Sequence, residues 1–209
     1  MPITEPFEEH TDRYDRWFDT YECAYRSELR ALERLVPENP DGLEIGVGTG
    51  QFAAPLGIET GVDPAGEMLR RAADRGISAV KGAAEALPFA DGAFGTALLV
   101  TTVCFVDDLD ATFAEARRVL RSDGRLVVGY IDRESPLGER YLQRQDENPF
   151  YRDATFYSTD ELVDALGAAG FGDLEFVQTV FRMPEELTEP DRVTDGYGEG
   201  SFVGISARR

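Results

Sequence analysis

A single α/β domain is the predicted fold: a doubly wound, mostly parallel sheet of seven strands with an antiparallel C-terminal hairpin, and helices on both faces. Three observations predict it. Strand-like and helix-like segments alternate over residues 43–130, the pattern of βα units that stack side by side into a parallel sheet. Three glycines, Gly46, Gly48 and Gly50, follow the first strand directly, where a chain must turn sharply to enter the next element. The 209 residues suffice for one sizeable core but are few for two.

Residues 7–36 read as helical, with Leu29, Leu32, Leu35 and Val36 at helical spacing. Pro37 to Gly42 break the chain. Residues 43–47 form the first strand, the glycine turn follows, and residues 51–56 read as a short helix. Residues 59–62 are the second strand, ended by Asp63. Pro64 can open the next helix at a position where its missing N–H costs nothing; that helix stops at Gly76. Residues 77–80 are the third strand. Residues 94–102, apolar almost throughout, are the fourth, as a central strand covered on both faces should be. A helix over 109–120 ends at Ser122-Asp123-Gly124, and residues 125–130 are the fifth strand. Residues 132–158 are polar and aromatic without a clear period. A helix over 159–169 follows, with Thr159 as expected N-cap and Gly170 as stop. Residues 174–181 and 201–207 are strands joined by a loop rich in proline and glycine, hence an antiparallel pair.

The glycine turn carries the strongest chemical signal. In an open α/β sheet, ligands sit beyond the carboxyl ends of the strands. A carboxylate at the end of the second strand, Asp63, can accept both hydroxyls of a ribose there. Physics alone gives a ribose-bearing cofactor and leaves its identity open. A dinucleotide fingerprint wants G-x-G-x-x-G, and its third glycine is replaced here by Gln51. Glu44, just before the loop, suits a cationic head group, directly or through water.

Four segments resemble the class I S-adenosylmethionine (SAM)-dependent methyltransferases, in that family's order. They are Leu43-Glu44-Ile45-Gly46-Val47-Gly48-Thr49-Gly50, then Gly61-Val62-Asp63-Pro64-Ala65-Gly66-Glu67-Met68-Leu69, then Lys81-Gly82-Ala83-Ala84-Glu85-Ala86-Leu87-Pro88-Phe89, then Glu115 through Leu126. The third is similar to the type 11, ubiquinone/menaquinone-methyltransferase-like branch. The resemblance implies a Rossmann-like fold and SAM as cofactor. It implies that Gly46, Gly48 and Gly50, with Glu44 and Thr49, serve the methionine part, and that Asp63 holds the ribose. Pro64 and Met68 would lie near the adenine, with Ala84 and Glu85 at its other edge. Thr101 and Thr102 would flank the transferred methyl. Many relatives carry an acid where Ala83 stands here, so that contact is absent or comes from Glu85 or backbone.

The resemblance also divides the chain into an N-terminal helical lid (1–40), a cofactor-binding core (43–130), a substrate-side insertion (132–158) and a C-terminal helix and hairpin (159–209). Tyr14 and Trp17 are expected in the lid, and Tyr141, Phe150 and Tyr157 against the acceptor; packing of these rings as plain core is the alternative reading. No catalytic base is read from the sequence. His10 is expected to be exposed, and Asp107 and Asp108 can face the acceptor or cap the helix after them.

Composition narrows the partners. Net charge is −19, which repels nucleic acid and anionic membranes. A small-molecule acceptor is therefore expected, with the protein a monomer or homodimer. Such a charge also fits an acidic, halophile-like proteome. The acidic stretch 1–10 lacks a signal pattern, so a cytoplasmic protein is expected. Two separated cysteines, Cys23 and Cys104, and one histidine supply neither a disulfide scaffold nor a metal site. Two other classes remain: a non-catalytic SAM-binding or partner-binding module, and a nicotinamide-dependent oxidoreductase.

Overall fold

A computed structural model describes residues 4–38 and 40–209. Five parallel strands form its centre: β1 (Gly42–Ile45), β2 (Thr60–Asp63), β3 (Ser78–Lys81), β4 (Phe94–Val100) and β5 (Leu120–Ile131). Three more complete one edge: β6 (Gly172–Thr179), β7 (Thr194–Asp195) and β8 (Phe202–Arg208). The order across the sheet is β3-β2-β1-β4-β5-β8-β6-β7. β8 slots between β5 and β6 and runs antiparallel to both. The predicted hairpin thus exists as the pairing of β6 with β8. The eighth strand, β7, is two residues long and joins only the edge of β6.

The helices are α1 (Glu5–Glu9), α2 (Thr11–Thr20), α3 (Glu22–Glu33), α4 (Gly66–Asp74), α5 (Leu109–Val119), α6 (Pro136–Gln143) and α7 (Thr159–Ala168). Side chains alternate across the sheet because successive strand residues point to opposite faces. Leu99, Leu126 and Val128 pack against Phe113 and Ala116 of α5 and Leu162 and Leu166 of α7. Leu98, Val100 and Val127 face the other way, onto Ala31 and Leu32 of α3 and Ala72 of α4. Each fully buried leucine on these layers contributes about 1.5–3 kcal/mol relative to exposure. The chain leaves β1 toward β2 and β3, then returns to the other side of β1 for β4 and β5. That reversal opens a crevice at the carboxyl ends of β1 and β4, where open α/β sheets bind ligands.

Several expected elements take a different form. The single N-terminal helical stretch is three helices, bent at His10 and Tyr21; no glycine or proline marks either bend. Residues 51–57 make successive turns rather than a helix, closed by Gly57 at φ +71°. Pro64 precedes α4 instead of opening it, with Ala65 at the N-cap. β4 stops at Val100, because Thr101 adopts φ +51°. The segment 132–158 contains α6, opened by Ser135, whose Oγ accepts from Gly138 N at 3.1 Å. Ser158, not Thr159, caps α7, in a capping box with Glu161. Thr159 is drawn inward instead: its Oγ1 donates to Asp132 and accepts from Tyr130 Oη. Gly170, at φ +86°, follows the end of α7 as expected.

Candidate active site

The turn after β1 folds back on β2: Gly46 N and Val47 N both donate to Val62 O, at 2.8 and 3.0 Å. Gly46 has φ +72°, and a Cβ there would lie 2.4 Å from Thr102 Cγ2. No larger residue fits without moving Thr102. Gly48, at φ +52°, donates its N–H to Asp63 Oδ2 at 2.9 Å. Asp63 Oδ1 accepts from Ala65 N at 2.8 Å. Each carboxylate oxygen keeps a further lone-pair site, and the side chain lines the pocket. Burial raises the Asp63 pKa to about 6, although these two N–H groups pull it down.

The wall of the crevice brings together Gly46, Gly48, Asp63, Pro64, Ala84, Glu85, Thr101 and Thr102. Glu85 Oε1 also accepts from Asp107 N at 2.8 Å, which ties this edge to the entry of α5. Thr101 holds its strained backbone through a 2.7 Å bond from its N–H to Gly129 O; such strain commonly marks a functional position. Four other expected cofactor residues stand behind the wall. Thr49 is buried and donates to Asp15 Oδ1 at 2.6 Å. Gly50 packs on Ala72 and Ile77. Met68 is buried in α4. Glu44 is 1% exposed, and its Oε2 has no hydrogen-bond partner among the described residues. Burial holds its pKa well above the usual carboxylate range, against a bond from the Ala53 backbone.

A second, larger cavity of about 580 Å³ adjoins the first; the two share Phe7, Tyr14, Thr101 and Phe105. Its size lies within the ordinary range for small-molecule sites. Of the expected lid and acceptor residues, Tyr14, Trp17, Tyr141 and Phe150 line it. Tyr157 does not; it packs on the α5–α7 side of the sheet. The lining rings touch one another. Phe7 lies 5.1 Å from Phe105 and 5.2 Å from Phe150, and Tyr141 lies 4.9 Å from Tyr151, between centroids. Such pairs add about 0.5–1.5 kcal/mol each beyond the area they bury.

The N-terminal helices are fastened over both spaces by acids. Glu8 of α1 accepts from Gly66 N at 2.6 Å and Glu67 N at 2.9 Å, capping α4 from outside. Asp15 of α2 accepts from Thr49 Oγ1 and, at 3.0 Å each, from Gln51 Nε2 and Arg71 Nη1. Burial pushes its pKa up, but these bonds outweigh it and hold the group below its ordinary value. Asp12 pairs with Arg71 beside it.

Sequence reasoning did not single out Phe7, Phe105 or Glu28. Phe105 sits in the 3₁₀ turn after β4, next to the expected threonines. Glu28 sits inside the apolar stripe of α3, and a charged residue at a core-facing position was the available signal. Asp108 caps α5 through its side chain, 2.9 Å from Ala111 N. His10 is exposed. The Cys104 Sγ donates to Thr101 O, and burial pushes its thiol pKa up to about 12, which keeps it protonated and inert. Among the described residues no cluster of ligands could hold a metal, and no helix is long and apolar enough to cross a membrane.

A glycine turn at the topological switch point, an acid at the end of the adjacent strand and a helical cover make the arrangement of a nucleoside-cofactor enzyme. Comparison with known proteins agrees. Residues 43–128 match the family model of the methyltransferase domain. The chain is 47% identical to a solved structure from Thermotoga maritima, described as a SAM-dependent methyltransferase and possible histamine N-methyltransferase. That match covers 98% of this chain and 99% of the other, with a TM-score of 0.96. An uncharacterized protein of Methanocaldococcus jannaschii is 41% identical over 97% of this chain and 98% of its own. A malonyl-[acyl-carrier protein] O-methyltransferase of Geobacter sulfurreducens is 34% identical over 91% of this chain and 79% of its own. The chain belongs to the class I SAM-dependent methyltransferases. It is an enzyme, and its cofactor is S-adenosylmethionine.

Proposed function

We propose that the protein transfers a methyl group to a small-molecule acceptor held in the 580 Å³ aromatic cavity, mainly by alignment and water exclusion. The observation that carries this reading is the junction of the two spaces at Phe7, Tyr14, Thr101 and Phe105. SAM supplies the activated methyl on a sulfonium, and transfer is an in-line displacement in which the C–S bond breaks as the bond to the acceptor forms. Asp63 would hold the ribose through the lone pairs its two backbone bonds leave open. Gly46 and Gly48 would let the backbone approach the methionine part. The unpartnered, buried Glu44 Oε2 supplies an acceptor beneath the loop for a cationic group or a bridging water. Pro64 and Glu85 would border the adenine. Residues 1–40 would act as lid, with Phe7 and Tyr14 keeping water from the reacting atoms. Residues 132–158 would complete the acceptor side through Tyr141 and Phe150. The segments 81–89 and 115–126 support a place near the type 11 branch.

The reading is tested by calorimetry with SAM, S-adenosylhomocysteine and NAD, and by turnover of an acceptor panel with labelled methyl donor. SAM and its product should bind and NAD should not. Asp63→Ala should weaken SAM binding about 10- to 100-fold, the worth of one or two charge-assisted hydrogen bonds. Unchanged affinity in that variant would contradict the ribose role. Cofactor binding without turnover on any acceptor would favour a binding module instead.

A further inference from the structure

We infer that the acceptor presents a basic nitrogen to Glu28, which makes Glu28 the residue that selects the acceptor's chemical class: a small, partly apolar amine. The inference rests on the methyltransferase reading for the reaction, and on the following geometry for the substrate.

Glu28 of α3 lines the large cavity and is only 3% exposed. Its carboxyl group makes no side-chain hydrogen bond among the described residues. Carboxylates buried in this way are normally paired, because removing a charge from water without a partner is expensive. Here burial alone raises the pKa to about 8. The neighbours that sense its charge are phenols: Tyr14, Tyr25, Tyr141 and Tyr151. None is a cation, so among the described residues no counter-charge meets this group.

The other charges of the cavity lie at its rim. Arg13, Arg16, Arg144 and Glu147 are exposed, and Arg140 is already paired with exposed Glu185. Charges in contact with water are screened, whereas a buried charge is not: a unit pair 4 Å apart is worth about 1 kcal/mol in bulk water and about 4 at an effective dielectric of 20. The buried acid therefore outweighs the exposed rim in choosing what enters. Around it the walls are aromatic faces and edges, which favour a cation and an apolar body together. An ammonium ion fits each feature. Above about pH 8, where Glu28 is ionised before any ligand binds, a carboxylate or phosphate would meet it with like charge.

A matched set of three probes decides the matter: phenethylamine, 2-phenylethanol and phenylacetate share a shape and differ in head-group charge. Protein saturated with S-adenosylhomocysteine is titrated with each at pH 8.5, and the titration is repeated without the nucleoside. The amine should bind about 10- to 100-fold tighter than the alcohol, and the acid weakest. Glu28→Gln should abolish that preference while leaving the S-adenosylhomocysteine affinity unchanged; Glu28→Asp should keep part of it. Three outcomes overturn the inference: the alcohol or acid binding as well as the amine, no probe binding at 10 mM (roughly the weak end of site affinities), or Glu28→Gln leaving the ranking intact. The wild-type ranking stands as a test even if a variant fails to fold. Failure of S-adenosylhomocysteine to bind would count against the cofactor reading instead, and the probe ranking on the free protein would still decide the role of Glu28.

Discussion

The crevice proposed for the cofactor and the cavity proposed for the acceptor meet at four residues, yet they are built by different means. The crevice is made largely of main chain: a glycine turn, two N–H groups on Asp63, and a strained Thr101 at the end of β4. Its residues come from consecutive βα connections, each close in sequence to the strand that positions it. The cavity is made of side chains from α1, α2, α3, the turn after β4, α6 and the loop beyond it. Only the tertiary fold brings those together. A backbone-built site leaves little room for substitution, whereas the lining of a side-chain-built site can change without altering the main chain.

The contrast can be broken at Gly46. Gly46→Val should abolish measurable SAM binding by calorimetry, since a Cβ would overlap Thr102 and the positive φ adds strain; retained affinity would show that the turn adapts. Asp63 offers a graded version. In the proposed role its carboxylate, with a pKa near 6 before the ligand binds, must be ionised to accept two hydroxyls. SAM affinity should therefore fall as pH drops below about 6, approaching tenfold per unit. Asp63→Asn should bind more weakly and show no such pH dependence.

On the acceptor side, Tyr141→Ala or Phe150→Ala should raise the acceptor KM about tenfold or more and leave SAM affinity unchanged. A shift in both would mean the two regions are not separable. Glu28 tests the cavity through stability. Its folded pKa, about 8, lies above the ordinary carboxylate value. Between about 4.5 and 8 the folded state holds the proton and the unfolded state has released it, so this group's contribution is full at low pH and is lost as pH rises through 8. Melting of Glu28→Gln should match wild type near pH 4.5 and exceed it by several degrees at pH 8.5.

The N-terminal helices border both regions. Asp15→Asn should cost about 1–3 kcal/mol in denaturant unfolding, because three donors lose a charged partner. With its pKa depressed in the fold, the Asp15 contribution is present at neutral pH and lost as pH falls below its folded value. Glu8→Ala, which removes an exposed cap, should cost about 0.5–1 kcal/mol. The smallest effect concerns the surface. With a net charge of −19, melting temperature should rise modestly with added salt; a flat or falling series would remove the halophile-like reading.

What the sequence by itself determined is the parallel sheet, with the glycine turn and the carboxylate that line its crevice. Strand periodicity, Gly46 and Gly48 before the turns, and Asp63 at the end of β2 are local signals, set by backbone sterics within a few residues of each other. The strand ends were less legible, because Thr101 turns out of β4 to meet the crevice rather than to satisfy its own propensity. The capping of α7 fell to Ser158 because Thr159 was claimed by Asp132 and Tyr130, partners far away in the chain.

Only the tertiary structure decided the acceptor cavity. Tyr157 and Tyr141 look alike in sequence, yet one packs against the core and the other lines the cavity. Glu28 reads as one more charge in an acidic chain until α3 is laid across β5, β6 and β8, where burial turns it into an unpaired group facing empty space. Hydrogen-bonded turns are encoded by neighbours, whereas the environment of a side chain depends on what the rest of the chain places around it. That is why the cofactor could be read from the sequence, whereas the chemistry we propose for the acceptor rests on the fold.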